Sequence, residues 1–464
     1  MPPPPPRRAV PAAAAAVFLP FLAGRACALD HVRVTFGADA ARGAVVSFAS
    51  NTSAADAAVS FATAPFDGCG ASAAPGAVTL AAAAADNSYA NAAGLQVVYA
   101  ANLTGGLAPS TTYHYRACLG QGAEVSPLFS FTTLAEAGAA GGGQQQPVVC
   151  YWGDLGRDGG GQAWPFLEAE AARTAARAPG ACSVGIQNGD FAYNLGDLDG
   201  ARGAAFLTRF SGIAATLPTW TTIGNHEVPP DLKRDANASH YVNMLGRTMP
   251  GGSNGSYYSA DVGLMHLVFL SSEVLALGPY GGVTAEQQQA WLEQDLAAVD
   301  RERTPWVVAV FHRPFYCSNA NSWCGPAAWQ SNPVRLAFEG PFMRHGVDVV
   351  LGAHEHSVEY TWPVVGGAAT AFDYNRPRAP VHVIAGVAGC NEESGECLNP
   401  MGAAAGNWSR ARLAGDPVQY GYSRLWAANA SSFHLEQVQV LAGPAPQLWA
   451  ESVDVFQPAH GPFV

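Results

Sequence analysis

This 464-residue sequence contains little charge: Asp, Glu, Lys and Arg make up 13% of it, about half their share in an average soluble protein. It has no basic run, and its formal net charge of -12 argues against a nucleic-acid-binding surface. It has no apolar run long enough to span a membrane. It also lacks a GxSxG nucleophile elbow and a glycine-rich nucleotide fingerprint. An acidic protein of this kind that acts on anions needs local positive charge, which bound metal would supply.

The N-terminus has the pattern of a secretory signal peptide. Arg7 and Arg8 give a positive start, residues 12–22 are apolar, and Ala26-Cys27-Ala28 has the small residues of a cleavage site. We therefore predict a signal peptide over residues 1–28 and a secreted, extracellular protein, with a vacuole or lysosome left open as the destination. The alternative interpretation is a disordered tail rich in alanine and proline.

Nine cysteines become eight if Cys27 is removed with the signal, and an even number in a secreted chain indicates disulfides. Proximity favours Cys317–Cys324 and Cys390–Cys397, which leaves Cys69–Cys118 and Cys150–Cys182 as candidates. All eight could pair within the chain, so the oligomeric state stays open. Six sequons predict N-glycosylation at Asn51, Asn102, Asn237, Asn254, Asn407 and Asn429.

Residues 29–134 show short alternating runs separated by turn residues, which predict a β-sandwich. The runs are residues 32–36, 44–48, 97–99, 112–116 and 129–132. The turn at residues 107–110 before Tyr113 resembles that of a fibronectin type III domain. Residues 135–146, AEAGAAGGGQQQ, then form a predicted linker.

Residues 147–464 change to alternating strand and helix patterns, which predict an α/β domain. Predicted helices are residues 164–178, a helix that begins at Thr284, and one that ends near His345. Thr284 and Gln287 have the spacing of a capping box. The predicted strands are residues 148–152, 184–187, 219–223, 257–262, 265–270, 306–311, 347–351, 380–385 and 433–440.

Five of these strands end in residues that can bind metal. The endings are Asp154, then Asp190 with Tyr193, then Asn225 with His226, then His312, then His354 with His356. The carboxyl ends of strands are where open α/β sheets bind ligands. We therefore expect these side chains to meet in one metal cluster, with glycines before Asp154, Asp190 and Asn225 allowing tight turns beside it.

The residue types in this cluster suit two metal ions. A carboxylate such as Asp190 can bridge two ions through its two oxygens, and imidazoles suit zinc, manganese or ferrous iron. The amide oxygen of Asn225 is a weak neutral ligand that leaves its metal electrophilic. A tyrosinate from Tyr193 is a hard anion that favours a trivalent ion.

The series GDLG, GDFAY, GNHE, VFH and AHEH resembles the five sequence blocks of the purple acid phosphatases, within the calcineurin-like metallophosphoesterases. The resemblance extends through Tyr257-Tyr258-Ser259, residues 289–293 and residues 421–425, so it spans nearly the whole mature chain. It implies a fibronectin-like sandwich followed by a metallophosphoesterase domain over residues 147–464, with two packed mixed sheets flanked by helices.

The resemblance also implies the metal ligands. Asp154, Tyr193 and His356 would bind Fe(III). Asn225, His312 and His354 would bind a divalent ion (zinc, manganese or iron), and Asp190 would bridge the two, with one ion of each kind per subunit. Tyr193 distinguishes the purple branch, because other metallophosphoesterases lack a tyrosinate at this position.

His226, beside Asn225, is the candidate catalytic residue that hydrogen-bonds phosphate or protonates the leaving group; the alternative is support of the loop. Asn225 is also expected to contact substrate. Plant members carry histidines soon after the VxxH block, whereas residues 313–319 here (RPFYCSN) contain none and resemble the long animal-type members. Arg313 and Asn319 are therefore the candidate substrate contacts in this loop, against roles in loop structure.

The predicted function is hydrolysis of small phosphate monoesters by in-line attack of a metal-bound hydroxide on phosphorus, as a secreted acid phosphatase that acts without a nucleic-acid or membrane partner. Two alternatives stay open. One is a phosphodiesterase or nucleotide pyrophosphatase of the same fold. The other is a secreted binding glycoprotein with a structural cluster, which the complete set of seven ligand types disfavours.

Overall fold

The computed structural model describes most of the chain between residues 29 and 463. The described ranges are 29–84, 89–91, 94–103, 105–138, 146–156, 163–228, 238–321, 323–324, 326–389, 406–413, 420–440 and 447–463. The predicted signal peptide, the predicted Cys390–Cys397 pair and the sequon at Asn237 lie outside these ranges. Among the described helices, none has the length and apolar character needed to cross a membrane.

The N-terminal part is a sandwich of two antiparallel sheets. One sheet has the order β1-β2-β7-β5 with β6 beside β7, and the other has the order β10-β8-β3-β4 with β9 beside β8. The strands described there are β1 (Leu29–Phe36), β2 (Ala44–Ser50), β3 (Ala58–Ala62), β4 (Val78–Ala81), β5 (Ala83–Ala84), β6 (Tyr89–Asn91), β7 (Gly94–Asn102), β8 (Thr112–Leu119), β9 (Glu124–Val125) and β10 (Phe129–Thr132).

The remaining strands belong to the α/β part and include every strand that the sequence predicts there. They are β11 (Val149–Trp152), β12 (Val184–Asn188), β13 (Thr219–Thr222), β14 (Tyr258–Val262), β15 (Met265–Phe269), β16 (Trp306–Val310), β17 (Val349–Gly352), β18 (Val358–Thr361), β19 (Val364–Val365), β20 (Ala368–Ala369), β21 (Val381–Ala385), β22 (Ser409–Leu413), β23 (Tyr420–Asn429), β24 (Ser432–Val440) and β25 (Gln447–Phe456).

Two mixed sheets organise this part. The first has the order β13-β12-β11-β23-β24-β25, and the second has the order β14-β15-β16-β17-β21-β18-β22. Strands β11, β12 and β13 are parallel to one another, as are β15, β16, β17 and β21. The predicted hairpin is the antiparallel pair β14 and β15. Each strand that precedes a predicted ligand therefore has a parallel neighbour; β11, β12, β16 and β17 lie inside their sheets, and β13 is an edge strand.

In the part of the chain that the structure describes, seven α-helices flank the sheets: α1 (Trp164–Ala175), α2 (Ala201–Ala214), α3 (Ser239–Met244), α4 (Glu273–Ala276), α5 (Ala285–Ala298), α6 (Pro326–Ser331) and α7 (Pro333–His345). The predicted capping box begins α5: the Thr284 hydroxyl accepts from the Gln287 backbone N–H, and the Gln287 side chain accepts from the Thr284 N–H. Helix α7 begins with Asn332 as its N-cap and ends at Gly346 in the left-handed region, where a residue without Cβ is favoured.

The hydrophobic core lies in layers. Along β16 the side chains alternate, with Val308 and Val310 facing the layer between the two sheets, while Val307 and Ala309 face α5 and α7. Helices α1 and α2 cover the other sheet, with residues such as Trp152 packed against them. Strands buried on both faces require the nearly continuous apolar runs that the sequence shows.

The sandwich packs directly on the first sheet. Trp220 of β13 donates its indole N–H to the Phe36 carbonyl at 2.9 Å, and Tyr115 donates its hydroxyl to the Ala215 carbonyl at 2.7 Å. Both groups are buried, and both hydrogen bonds join residues that are far apart in sequence. The interface therefore combines apolar packing with satisfied polar groups.

Three disulfides lie within the described residues. They join Cys69 to Cys118, Cys150 to Cys182, and Cys317 to Cys324. Cys317–Cys324 is one of the two pairs that proximity favours, and the other two are the candidates that remained. The Cys317–Cys324 disulfide closes the loop between β16 and α6, beside the predicted ligand His312.

His266 in β15 and His382 in β21 have structural surroundings away from the predicted ligands. His266 lies between the carboxylates of Asp261 and Asp295, at 2.8 and 3.1 Å. Burial lowers the pKa of His266, but its hydrogen bonds to both carboxylates outweigh burial and raise the pKa to about 9. His382 is buried in β21, and desolvation lowers its pKa to about 3.

Candidate metal centre

Five turns meet where the parallel strands of both sheets end. Each turn follows one strand, so the sheet geometry alone brings their side chains to one place. The turn residues are Asp154 after β11, Asp190 and Tyr193 after β12, Asn225 and His226 after β13, His312 after β16, and His354 and His356 after β17. Short distances between side-chain atoms connect seven of them into two neighbouring groups, and His226 lies at the rim.

The first group consists of Asp154, Tyr193 and His356, all buried. The Tyr193 hydroxyl lies 2.8 Å from His356 Nε2 and 3.4 Å from Asp154 Oδ1. His356 Nε2 lies 3.3 Å from the same Asp154 oxygen. The three donor atoms therefore form a closed triangle.

The second group consists of Asp190, Asn225, His312 and His354. His312 Nε2 lies 3.2 Å from Asp190 Oδ2 and 3.2 Å from Asn225 Oδ1. Asp190, His312 and His354 offer ligand atoms that all lie within 4.8 Å of one another. The Asp190 carboxylate belongs to this group and also acts electrostatically on Asp154 of the first.

These spacings fit metal ions. Ligand atoms about 2.1 Å from one ion, at octahedral or tetrahedral angles, lie about 3.0 to 3.4 Å apart. The distances within the first group, and those around His312 Nε2, fall in or next to that range. Carboxylate, phenolate, amide oxygen and imidazole are also all donors that iron and zinc accept.

The backbone at this site adopts conformations that L-residues rarely use. Asp154, Asp190, Tyr193 and His354 have φ of 58°, 50°, 49° and 65°. Side chains other than glycine cost free energy in the left-handed region. The turns therefore hold four of the proposed ligands in conformations that the surrounding structure must stabilise.

Two glycines are required by close approach, as the sequence predicts. A Cβ on Gly189, which has φ of 70°, would lie 2.4 Å from His312 Nδ1, and one on Gly224 would lie 2.3 Å from Asp190 Oδ1. Neither contact is sterically allowed. The turns can approach the cluster only because these two residues lack side chains.

Backbone groups fix the orientation of the ligands. The Asn188 carbonyl accepts a hydrogen bond from His312 Nδ1 at 3.0 Å, which assigns the proton to Nδ1 and leaves the Nε2 lone pair for a metal. The His354 backbone N–H donates to Asp154 Oδ2 at 3.0 Å. Residues 200 positions apart in sequence are thereby held together.

Glu227 is a residue whose role the sequence analysis missed. Its buried carboxylate accepts from three backbone N–H groups, those of Asp190 at 2.8 Å, Phe191 at 3.0 Å and Gly224 at 3.0 Å. It thus ties the turn after β12 to the turn after β13. Its position two residues after Asn225, in an apolar context, was the available signal.

The electrostatics of the site favour cations. Burial raises the pKa of Asp154, and burial together with the Asp190 charge raises the pKa of Glu227 to about 7. For Asp190, burial also acts upward, but the imidazoles of His312 and His226 outweigh it and hold its pKa well below the usual range. Such a concentration of buried acids is stabilised by positive charge at its centre.

His226 lies at the rim, with its side chain 25% exposed. Its Nδ1 is 3.0 Å from Asn194 Oδ1, and its ring lies edge-on to Tyr193 at 4.6 Å. An amide oxygen only accepts hydrogen bonds, so Nδ1 carries a proton. The sequence analysis did not find Asn194, although it directly follows Tyr193.

The two candidate substrate contacts after His312 differ in their surroundings. Arg313 donates through Nε to the buried Glu273 at 2.9 Å and through Nη1 to His354 Nε2 at 3.0 Å. Asn319 is 4% exposed and donates to Glu355. Arg313 therefore borders the metal centre. The contact of Asn319 with Glu355 supports a role in loop structure, and a substrate role for Asn319 stays a prediction.

The described sequons are found at the surface. Asn51, Asn102, Asn407 and Asn429 are exposed, and Asn254 is half-buried. Asn254 donates its side-chain amide to the Gly281 carbonyl at 3.3 Å. N-glycosylation at these positions stays a prediction, with exposure favouring the first four.

Comparison with known families gives three matches along the chain. Residues 29–133 match the purple acid phosphatase N-terminal domain, residues 153–358 match the calcineurin-like phosphoesterases, and residues 379–443 match the C-terminal domain of iron/zinc purple acid phosphatase-like proteins. The first match covers the sandwich, and the other two lie within the α/β part, where each contains strands of both sheets.

Individual relatives agree with these matches. Acid phosphatase type 7 from Homo sapiens is 35% identical over 346 residues, which cover 72% of each chain. Purple acid phosphatase 21 from Arabidopsis thaliana is 30% identical over 295 residues, covering 62% of this chain and 57% of the relative. The solved purple acid phosphatase PPD1 from yellow lupin seeds shares the fold, with a TM-score of 0.71 and 19% identity over 93% of this chain and 74% of the lupin chain.

Proposed function

This chain belongs to the purple acid phosphatases, phosphate-monoester hydrolases with an iron-containing dinuclear centre, and on this premise we propose how its own residues serve that reaction. Asp154, Tyr193 and His356 hold Fe(III). The divalent ion (zinc, manganese or iron) is held by residues Asn225, His312 and His354, and Asp190 bridges the two ions.

The observation that carries this assignment is the spacing of the donor atoms. The triangle of Asp154, Tyr193 and His356, with sides of 2.8 to 3.4 Å, has the dimensions of ligands on one ion. It contains a phenol, which as phenolate prefers a trivalent ion. The amide and the imidazoles of the second group, with a shared carboxylate, suit a divalent ion instead.

Charge explains the choice of substrate class. A trivalent and a divalent ion supply a charge of about +5, and two carboxylates with one phenolate remove about 3 of it. The site is then positive within an acidic protein, so a phosphate ester is attracted to it. When bound, two such ions supply a low-pKa water, clamp phosphate oxygens and neutralise charge on the leaving oxygen.

His226 supplies the proton chemistry in this proposal. The Asn194 amide oxygen accepts from Nδ1, and Nε2 lies 3.9 Å from Asp190 Oδ2. In the doubly protonated imidazolium Nε2 also carries a proton, which it donates to a phosphate oxygen or gives to the leaving alcohol. Arg313, beside His354, is placed to contact the substrate phosphate, and so is the Asn225 amide.

The deciding experiment is the visible absorption spectrum of the air-oxidised protein, measured with its metal content. A tyrosinate on Fe(III) gives a broad visible band and a pink or purple solution, and Tyr193→Phe should abolish the band. Asn225→Ala should keep the band, because it removes a ligand of the other ion, but should lose most phosphatase activity. A colourless wild-type protein loaded with zinc or manganese alone would overturn the ferric assignment.

We also propose that the protein is a secreted glycoprotein. The exposed sequons at Asn51, Asn102, Asn407 and Asn429 and the predicted signal peptide support this destination. Expression in a eukaryotic host should yield protein in the medium whose mass falls on treatment with an N-glycosidase. Retention inside the cell without glycan would contradict it.

A further inference from the structure

A cavity of about 370 Å³ adjoins the proposed metal centre, a volume within the range of small-molecule sites. His354, a proposed ligand, and Arg313 form part of its wall. Most of the other walls are apolar and include Trp323, Pro314 and Val334. A group attached to a phosphate at the centre can therefore extend into an apolar space beside His354.

Trp323 is an unusual residue in the lining of this cavity. It is 50% exposed, although an indole ring gains free energy from burial. Its Nε1 donates to the buried Glu355 carboxylate, and its ring centroid lies 5.8 Å from that of His354. The neighbouring Cys324 is joined to Cys317, so the ring is held on a loop closed by a disulfide.

Arg313 gives the cavity a charged edge. Its Nε and Nη1 are used by Glu273 and His354, and among the described residues Nη2 has no hydrogen-bond partner. The cavity thus combines a flat aromatic wall with a positive group on the side of the metal centre. A phosphate ester whose alcohol carries a planar ring matches both features.

We propose that this cavity is the leaving-group subsite, and that Trp323 stacks planar leaving groups, either aryl rings or nucleobases. The proposal rests on the phosphatase function proposed above and defines its substrate class. Stacking on an exposed indole stabilises a planar group and gives little to an alkyl chain or a sugar of similar size. Trp323 is therefore a specificity-determining residue that acts by binding the ring of the substrate.

The test uses matched substrate pairs with similar leaving alcohols. One pair is benzyl phosphate and ethyl phosphate, and the other is adenosine 5′-monophosphate and ribose 5-phosphate. For each pair the ratio of kcat/KM values is measured in the wild type, Trp323→Ala and Trp323→Phe. Trp323→Ala should lower at least one ratio about tenfold, and Trp323→Phe should lower the same ratio much less.

The design separates stacking from other roles. Both variants lose the hydrogen bond to Glu355, so the difference between them reports the ring alone. Leu336→Ala removes a side chain that is 64% exposed outside the cavity, and it should change neither ratio. The first pair isolates an aryl ring and the second a nucleobase. The pair whose kcat/KM ratio changes more therefore identifies which kind of ring Trp323 stacks.

Two results would overturn the subsite. Both ratios could be independent of position 323, which includes an equal fall in kcat/KM on all four substrates, or Trp323→Phe could lower the ratios as much as Trp323→Ala. In each case hydrolysis of ethyl phosphate and ribose 5-phosphate by the wild type would still support the phosphatase function. Failure of the wild type on all four monoesters would instead refute the proposed function itself.

Discussion

Replacing Gly189 by alanine tests the proposed role of His312 most directly. The added Cβ would lie 2.4 Å from His312 Nδ1, whereas ordinary contact begins near 3.4 Å, so the imidazole or the turn must move by the difference, 3.4 − 2.4, about 1.0 Å. A shift of that size at a reacting centre lowers the rate about 100-fold. It also breaks the hydrogen bond from Nδ1 to the Asn188 carbonyl.

Gly252 provides the matched control. It has φ of 71°, nearly the 70° of Gly189, and a Cβ there would meet nothing within 4 Å. Alanine in the left-handed region costs about 1 to 2 kcal/mol at either position. Gly252→Ala should therefore lose stability and keep its metals and activity, while Gly189→Ala should also lose the divalent ion.

The measurements are the free energy of unfolding in urea, the metal content per chain, and kcat on ethyl phosphate. The reasoning is refuted if Gly189→Ala binds two ions and its kcat stays within about twofold of Gly252→Ala. His312 and the turn that carries Asp190 would then not both supply metal ligands, since a displacement of about 1 Å would not be tolerated at a metal bond.

Two further predictions concern stability. The pKa of His266 is about 9 in the folded protein and about 6.5 unfolded, so its stabilisation, on the order of 3 kcal/mol, is complete below pH 6.5 and lost as the pH rises through 9. His266→Gln should flatten the unfolding free energy between those pH values; an unchanged slope would contradict the assignment. Glu227→Gln leaves at least one of three buried N–H groups without its carboxylate oxygen, which should cost about 1 to 3 kcal/mol in the metal-loaded protein. The exposed Glu302→Gln should change stability by less than about 0.5 kcal/mol, and an equal effect of both variants would rule out the tethering role.

Local sequence patterns were sufficient for the elements that carry the site. The apolar run at residues 306–310 predicts a strand because both faces of β16 are buried, and the spacing of Thr284 and Gln287 predicts the start of α5. Helix α2, by contrast, was missed. It begins after Gly200 in the left-handed region without a side-chain cap, so no capping residue marks its start.

The seven predicted ligands could be named as candidates because each lies in the turn after its strand, and parallel strands deliver such residues to one edge. The chain order of the motifs therefore determined the candidate chemistry. Their surroundings depended on the tertiary structure. Glu227 reaches the Asp190 N–H across 37 residues, and Arg313 reaches Glu273 across 40.

The leaving-group cavity shows the same limit. Trp323 lies in a loop with no strand or helix pattern, and only the fold places its ring beside His354. Side-chain pairs of this kind depend on how two sheets and a disulfide-closed loop pack, which no local periodicity encodes. The sequence by itself thus determined which atoms can bind metal, while the packing of distant segments decided what orients those atoms and what borders them.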